Sequence, residues 1–572
     1  MMKKVIFILA TVIGVNVLSA QGVADKNLYS NFKVKTTQAN LKKAYDANPK
    51  DANAIYWYGQ SLIAGIEPTK QDLENAKAVY QKALQDGVNE PLIWVGAGHV
   101  ELLLGGDLNS AKQKFEQAIT ATLETKGKNK GKPSAAILAA IGRANADGGS
   151  KIGDPVYGIE KLKLAATLDL TNPDILISQG ISYLKLGNEG FDNGGNAVLA
   201  FMEAIKRDSK NAYAMFRLGK VYISQNNPEI FNKYFNDAIA ADASFPDTYL
   251  ALFEYYKFRE MSRAKPYIDD FLKYADKDCS SDFYYADYLF RAGKYQESLD
   301  KTKAMELGEC KTYEKLPILF AYNYDRLGDS VQAKANLDKF FAATAVEKIE
   351  PQHYELAVKV YSKFPGSESV AEGYINKAIE NDTLSTSRIK FGVLAAEMFN
   401  KAKNPKKELE WNLKIKSWRK EETSRGYYFL VESAIKAADT TIAWQVASEY
   451  KDKFPDQIYP YRFKVQVAKM MDADTSKGSA LPAIQEYVDF LLKDSVKNKI
   501  SIKQQYYYPA IYYSESNKGN DLNKTLEYLD KILAIDPDDP FATKAKPVVL
   551  SVLNKKQQKS GGSKPAGNAS PN

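Results

Sequence analysis

NAYAMFRLGKVYISQNNPEIFNKYFNDAIAADASFP, residues 211–246, places a small residue, Gly219, ahead of Phe231, Phe235 and Ala238. The last three marks stand four and then three residues apart, which puts them on one face of a helix. The glycine belongs to an earlier helix, where the missing side chain lets the second helix come close. The same order recurs as Gly59, Ala76, Tyr80, Ala83 and as Gly96, Ala111, Phe115, Ala118. It returns as Gly142, Gly158, Leu162, Ala165 and as Gly180, Ala197, Phe201, Ala204. A unit of roughly 34 to 45 residues built this way is an antiparallel helix pair that cannot bury its apolar stripe alone; stacked copies can.

Looser copies follow. RAGKYQESLDK (291–301) and RLGDSVQAKANLDKF (326–340) read as inter-helix turns running into a second helix, and SVAEGYINKAIEND (369–382) as another second helix. Near the C-terminus Thr525, Leu529, Ile532 and Pro537 repeat the second-helix marks and a closing proline. On these residues the chain resembles the tetratricopeptide repeat family, in an exported bacterial form. The expected fold is an all-α, right-handed superhelical solenoid of about twelve antiparallel helix pairs. The expected division is a signal peptide at 1–20, a regular array over 21–245, a divergent array over 246–550 and an unstructured tail over 551–572. The stretches 404–424 and 472–482 keep repeat spacing poorly and are candidate breaks.

Residues 1–20, MMKKVIFILATVIGVNVLSA, have a charged start, an apolar run and a small-residue end before Gln21. That is the form of a secretory signal, too short for a comfortable membrane span. No cysteine follows it to accept a lipid. The mature chain is therefore expected to be soluble and exported, in the periplasm or peripheral to the outer membrane, with no integral span. The polar tail KKQQKSGGSKPAGNASPN (555–572) offers nothing to pack. A net charge of +8 over 572 residues is mild. Its lysines are scattered and partly gathered in KGKNKGK (126–132), which argues against the continuous basic stripe of a nucleic-acid binder.

Catalytic signatures are missing: the chain has no HExxH, CxxC, GxxxxGK[ST] or GxSxG. No enzyme, cofactor or metal is expected. The turns DGGSKIGDPVYG (147–158) and GNEGFDNGGN (187–196) lack the ligand ladder of a calcium loop. Of two histidines, His99 occupies a packing slot held elsewhere by Leu62, Tyr183 and Tyr222, and His353 follows Glu350-Pro351 at a helix start. The first reads as a satisfied core residue, the second as a surface or capping residue. Cys279 and Cys310, each just before a first helix, lie at equivalent places in consecutive units; they form either a disulfide or two free thiols. The 37 tyrosines, against 25 phenylalanines, suit helix pairs with an apolar interior and a wet rim.

The resemblance implies a ligand groove lined by first helices. Matched unit by unit, its positions here are Tyr56, Gln60, Ile93, Arg143, Ile177, Phe216 and Lys220. That mixed apolar and cationic lining suits an extended peptide or a partner's helix, and it departs from the Lys/Asn framework that clamps a terminal carboxylate. The first four units also carry extra residues between their helices, at a common edge that could form a binding rim. The function expected is a non-enzymatic, protein-binding scaffold of the bacterial cell envelope, its partners envelope or exported proteins and not nucleic acid. The alternative is a nutrient- or glycan-binding helical protein beside an outer-membrane transporter.

Overall fold

The computed structural model describes residues 29–65, 68–187, 192–381, 385–515 and 518–560. The expected signal peptide, and residues 561–572 of the expected tail, lie outside them. Every regular element among the described residues is helical. The chain divides into two compact units at Leu327/Gly328.

Unit 1 opens with α1 (Val34–Ala47), followed by α2 (Ala52–Leu62) paired with α3 (Lys70–Gln85). The next pairs are α4 (Pro91–Leu103) with α5 (Leu108–Ala121), and α6 (Ala135–Ala146) with α7 (Pro155–Leu168). Then come α8 (Pro173–Leu186) with α9 (Asn193–Arg207), and α10 (Ala212–Ser224) with α11 (Pro228–Ala241). The pairs α12 (Pro246–Tyr256) with α13 (Met261–Tyr274) and α14 (Cys279–Arg291) with α15 (Tyr295–Leu307) complete the series before α16 (Leu316–Leu327).

Unit 2 begins with α17 (Ser330–Ala343). Its pairs are α18 (Pro351–Tyr361) with α19 (Glu368–Asn381), α20 (Ser385–Lys401) with α21 (Pro405–Trp418), and α22 (Ser424–Lys436) with α23 (Thr440–Lys453). They continue as α24 (Ile458–Met471) with α25 (Leu481–Leu492) and α26 (Lys499–Ser514) with α27 (Leu522–Ile535), ending in α28 (Pro540–Ser560). Among the described residues seven pairs lie in unit 1 and five in unit 2, with α1, α16, α17 and α28 outside them, against the about twelve read from the repeat marks.

Local chemistry sets these boundaries. Asp154, Asn172, Asn227 and Asn404 each cap a helix whose first residue is proline, their side chains accepting amide hydrogens of the first turn. Several helices end where a left-handed residue turns the chain, as at Gly105 (φ 77°) and Gly293 (φ 79°).

Small-against-large packing holds the pairs together. A methyl carbon placed on Gly59 would come within 2.4 Å of the Tyr80 ring, on Gly142 within 2.2 Å of Leu162, on Gly180 within 2.5 Å of Phe201 and on Gly219 within 2.3 Å of Phe235. The second unit departs from its expected pairing. Gly96 faces Tyr80 of the preceding unit at 2.4 Å, and Gly98 is the glycine that meets Phe115, at 2.7 Å. Tyr80 thus wedges between two first helices, so two glycines make room for one ring.

Successive first helices also touch each other: α2 with α4, α4 with α6, α6 with α8, and α10 with α12. Among the described residues no contact of that extent joins successive second helices. The first helices therefore form the tighter, inner layer of unit 1.

Three expectations about the later chain change. Residues 405–418 are no break but the regular helix α21, capped by Asn404, with Trp411 wholly buried and Gly392 of α20 admitting Ile415 and Trp418. Residues 472–480 form an ordered turn, in which buried Asp472 accepts the amides of Lys477 and Ser479. Residues 551–560, expected as tail, extend α28, since LSVLNKKQQK is rich in helix formers. No described helix is long and apolar enough to cross a membrane.

Cys279 and Cys310 are joined, with Cα atoms 5.4 Å apart. Cys279 opens α14 and Cys310 lies in the turn before α16, so the bond ties consecutive first helices at one end. Closing a loop of that length stabilises a fold by about 3 kcal/mol. A Cys279→Ser/Cys310→Ser chain is expected to unfold in its 279–327 region at lower denaturant than the wild type. Reductant should reproduce the effect in the wild type and change nothing in the variant.

Candidate functional site

The inner layer of unit 1 is built on a chain of polar contacts between first helices. Tyr80 donates its hydroxyl to the carbonyl of Tyr56 at 2.9 Å and accepts from Gln60 Nε2 at 3.0 Å. The Gln60 oxygen then faces His99 Nδ1 at 3.1 Å. Nδ1 therefore carries the ring proton and Nε2 the lone pair. Nε2 has no partner at hydrogen-bond distance but faces Asp147 Oδ2 at 3.6 Å, so this histidine is a core residue, as expected, with one nitrogen bonded and the other beside a carboxylate. Burial, with Arg143 and Lys185 adding repulsion, holds its pKa down to about 3. The other histidine, His353, accepts the Glu350 amide in a capping box, as its position suggested.

Arg143 reaches across to α2. Its Nη2 donates to the Tyr56 hydroxyl at 2.7 Å, and its guanidinium lies 4.4 Å from the Trp57 ring centre. Its Nε has no partner. From α8, Lys185 donates to the carbonyls of Asn145 and Asp147, pinning the turn between α6 and α7. Burial lowers that ammonium to about 8.

Of the seven groove residues expected from the family pattern, six are buried. Tyr56, Gln60, Ile93, Arg143 and Ile177 form the layer beneath the surface and are not available as contacts. Mutual contact of the first helices accompanies their burial. Phe216 is buried but lines an open cleft, and Lys220 is exposed in that cleft. The Lys220 ammonium is lowered, by the protein around it first and by Arg217 second.

Against α10 and α12 lies the chain's own N-terminal stretch, Tyr29–Lys33, which is not helical. Tyr29 stacks on Tyr213 of α10 with ring centres 4.6 Å apart. Ser30 Oγ donates to Asp247 Oδ2 at 2.6 Å, and the Asn31 amide donates to Oδ1 of the same carboxylate at 3.1 Å. The Phe32 carbonyl accepts from the Asp276 amide at 2.7 Å, and its ring meets Phe271 and Tyr284 edge-on. Asp247 is pushed up to about 6 by burial, with the Ser30 and Asn31 bonds opposing. Nothing in the repeat pattern marks this contact, whose bonds to Asp247 join residues more than 200 positions apart. Its one visible trace is a pair of aromatics, Tyr29 and Phe32, in an otherwise polar linker.

Beside the segment lies a cleft of about 760 Å³. It is lined by the apolar side chains of Phe216, Leu250, Tyr255 and Tyr284, by the charged Arg217, Lys220, Asp247 and Glu254, and by Asn31 and Phe32 of the segment. The longer inter-helix turns expected at the other edge span 63–69, 104–107, 147–154 and 187–192, against 225–227 in the most regular pair. Residues 66–67 and 188–191 of these turns lie outside the described residues. No group of metal-ligating side chains occurs among the described residues.

No family model and no curated protein matches the chain. Solved structures similar to it include the C-terminal part of a TPR repeat-containing protein from Cytophaga hutchinsonii, at 21% identity over 46% of this chain and 98% of that one, with a TM-score of 0.30. A tetratricopeptide repeat protein from Parabacteroides merdae is 16% identical over 54% of this chain and 98% of its own, with a TM-score of 0.28. The TPR protein YrrB, described as having an unusual peptide-binding site, is 22% identical over 37% of this chain and 96% of its own, with a TM-score of 0.22. At these scores the fold rests on the chain's own helix pairing.

Proposed function

We propose that the chain is a non-enzymatic scaffold of the bacterial cell envelope that holds partner proteins on the first-helix face of unit 1. The observation carrying this reading is that the face already holds a non-helical stretch of polypeptide, Tyr29–Lys33, through main-chain hydrogen bonds and ring stacking. A surface that does this for its own chain has the donors, acceptors and aromatic faces to do so for another. The adjoining cleft, lined by both apolar and charged side chains, adds room for further side chains. The envelope location rests on the signal-like residues 1–20.

The test is photo-crosslinking in intact envelopes from a probe at position 220, with mass spectrometry of the tagged protein. Reproducible adducts to one or a few exported or membrane proteins are expected, and Arg217→Glu, which reverses a charge of the same cleft, should reduce them several-fold. Recovery of a free monomer without adducts would remove the scaffold reading and leave capture of a nutrient or glycan in its place.

A further inference from the structure

The geometry points to a sequence-reading peptide site on the inner face of unit 1, with Tyr29–Phe32 as its displaceable resident and a non-helical partner segment of the pattern aromatic–Ser/Thr–polar–aromatic as its ligand. This deepens the scaffold reading and rests on it for the choice of face. Each position of the pattern answers to a named group. Tyr213 presents a flat ring to the first aromatic. The carboxylate of Asp247, on a buried side chain, takes a hydroxyl and a main-chain amide together, which selects Ser or Thr followed by any residue with an N–H. Phe271 and Tyr284 close edge-on around the last aromatic while the Asp276 amide binds its carbonyl.

The resident fits incompletely, and that makes it displaceable. The Tyr29 hydroxyl, Arg143 Nε and His99 Nε2 are all buried and none has a hydrogen-bond partner. Tyr29 and Arg143 lie close enough for each to perturb the other's titration, and Arg143 does the same to His99. Two of these atoms donate and one accepts. Intramolecular attachment compensates the resident, because a tethered segment competes at high effective concentration.

The experiment uses a fluorescein-labelled peptide of residues 26–34, KNLYSNFKV. It is titrated against the mature protein, the full-length Tyr29→Ala/Ser30→Ala variant and a chain lacking residues 21–33. Weakening the resident frees the site, so the double variant should bind the peptide at least tenfold more tightly than the wild type, and the truncated chain more tightly still. Asp247→Ala added to the double variant should remove most of that gain, and a Tyr29→Ala peptide should bind at least tenfold more weakly than the parent. Equal binding by wild type and double variant, or none by either, overturns the proposal even if the truncated chain fails to fold. A wild-type dimer that the peptide converts to monomer would place a second copy's segment in the site and overturn the intramolecular assignment. The two readings separate cleanly. Peptide binding without envelope partners would sink the scaffold alone. Partners crosslinked at position 220 that the peptide cannot displace would sink the sequence-reading site alone.

Discussion

A Gly219→Val chain is expected to lose about 3 kcal/mol of local stability in unit 1, enough to expose the α10–α11 pair to rapid hydrogen exchange. The first added carbon alone would lie 2.3 Å from Phe235, and that ring cannot swing aside. It is wholly buried, with Phe216 at 6.0 Å and Phe231 at 5.8 Å between ring centres. The helices must part, which forfeits contacts along the whole seam. Gly373 of α19 is the control, since nothing lies within 4 Å of a carbon added there. Gly373→Ala should be neutral or stabilise by up to about 1 kcal/mol through helix propensity. Gly219→Ala combined with Phe235→Leu should recover part of what Gly219→Ala alone loses, the coupling expected of residues in contact. Because repeat arrays open piecewise, residue-level hydrogen exchange is the measurement to use.

Acid should act on unit 1 through two buried groups of opposite sign. His99 has a folded pKa near 3 against the usual 6.5, so below pH 6.5 the unfolded chain takes up a proton that the folded one refuses. Its contribution falls as the pH drops from 6.5 to 3, by about 5 kcal/mol at most. Asp247 has a folded pKa near 6 against 3.8, so the folded chain takes up its proton first. Its contribution rises as the pH drops from 6 to 4, by about 3 kcal/mol at most. The histidine outweighs the aspartate, and the pair together should cost about 2 kcal/mol by pH 3. His99→Gln should flatten the acid loss and Asp247→Asn should steepen it, read from denaturant unfolding of unit 1 at pH 7, 5 and 3.5. An unchanged slope in His99→Gln would mean that the folded protein protonates His99.

The repeat marks were legible because small and large residues at fixed spacing have one economical packing, and that packing is periodic. Tyr80, Leu162, Phe201 and Phe235 each stand over the expected glycine. The register failed where one tyrosine served two first helices, making Gly98 instead of Gly96 the partner of Phe115. It also failed in α21, whose tryptophans hid an ordinary second helix behind unusual residue types. Six of the seven positions matched to the family's groove are buried. Family positions say which side of a helix faces inward, but not whether a neighbouring helix or another stretch of chain lies on top.

Helix pairing and the number of pairs were therefore determined by the sequence alone, because they follow from contacts between residues about 20 positions apart that every unit repeats. The Cys279–Cys310 proximity was half determined, since equivalent positions in adjacent units are near but spacing does not set the 5.4 Å separation. Only the tertiary structure decided that Tyr29–Lys33 lies across the inner face, that Asp247 grips it, and that His99 and Arg143 are left with unpaired atoms beneath it. The bonds of Ser30 and Asn31 to Asp247 join residues more than 200 positions apart. They depend on how far a whole series of small inter-unit rotations carries α12 round toward α1, and that accumulated sum has no local signature in the residues.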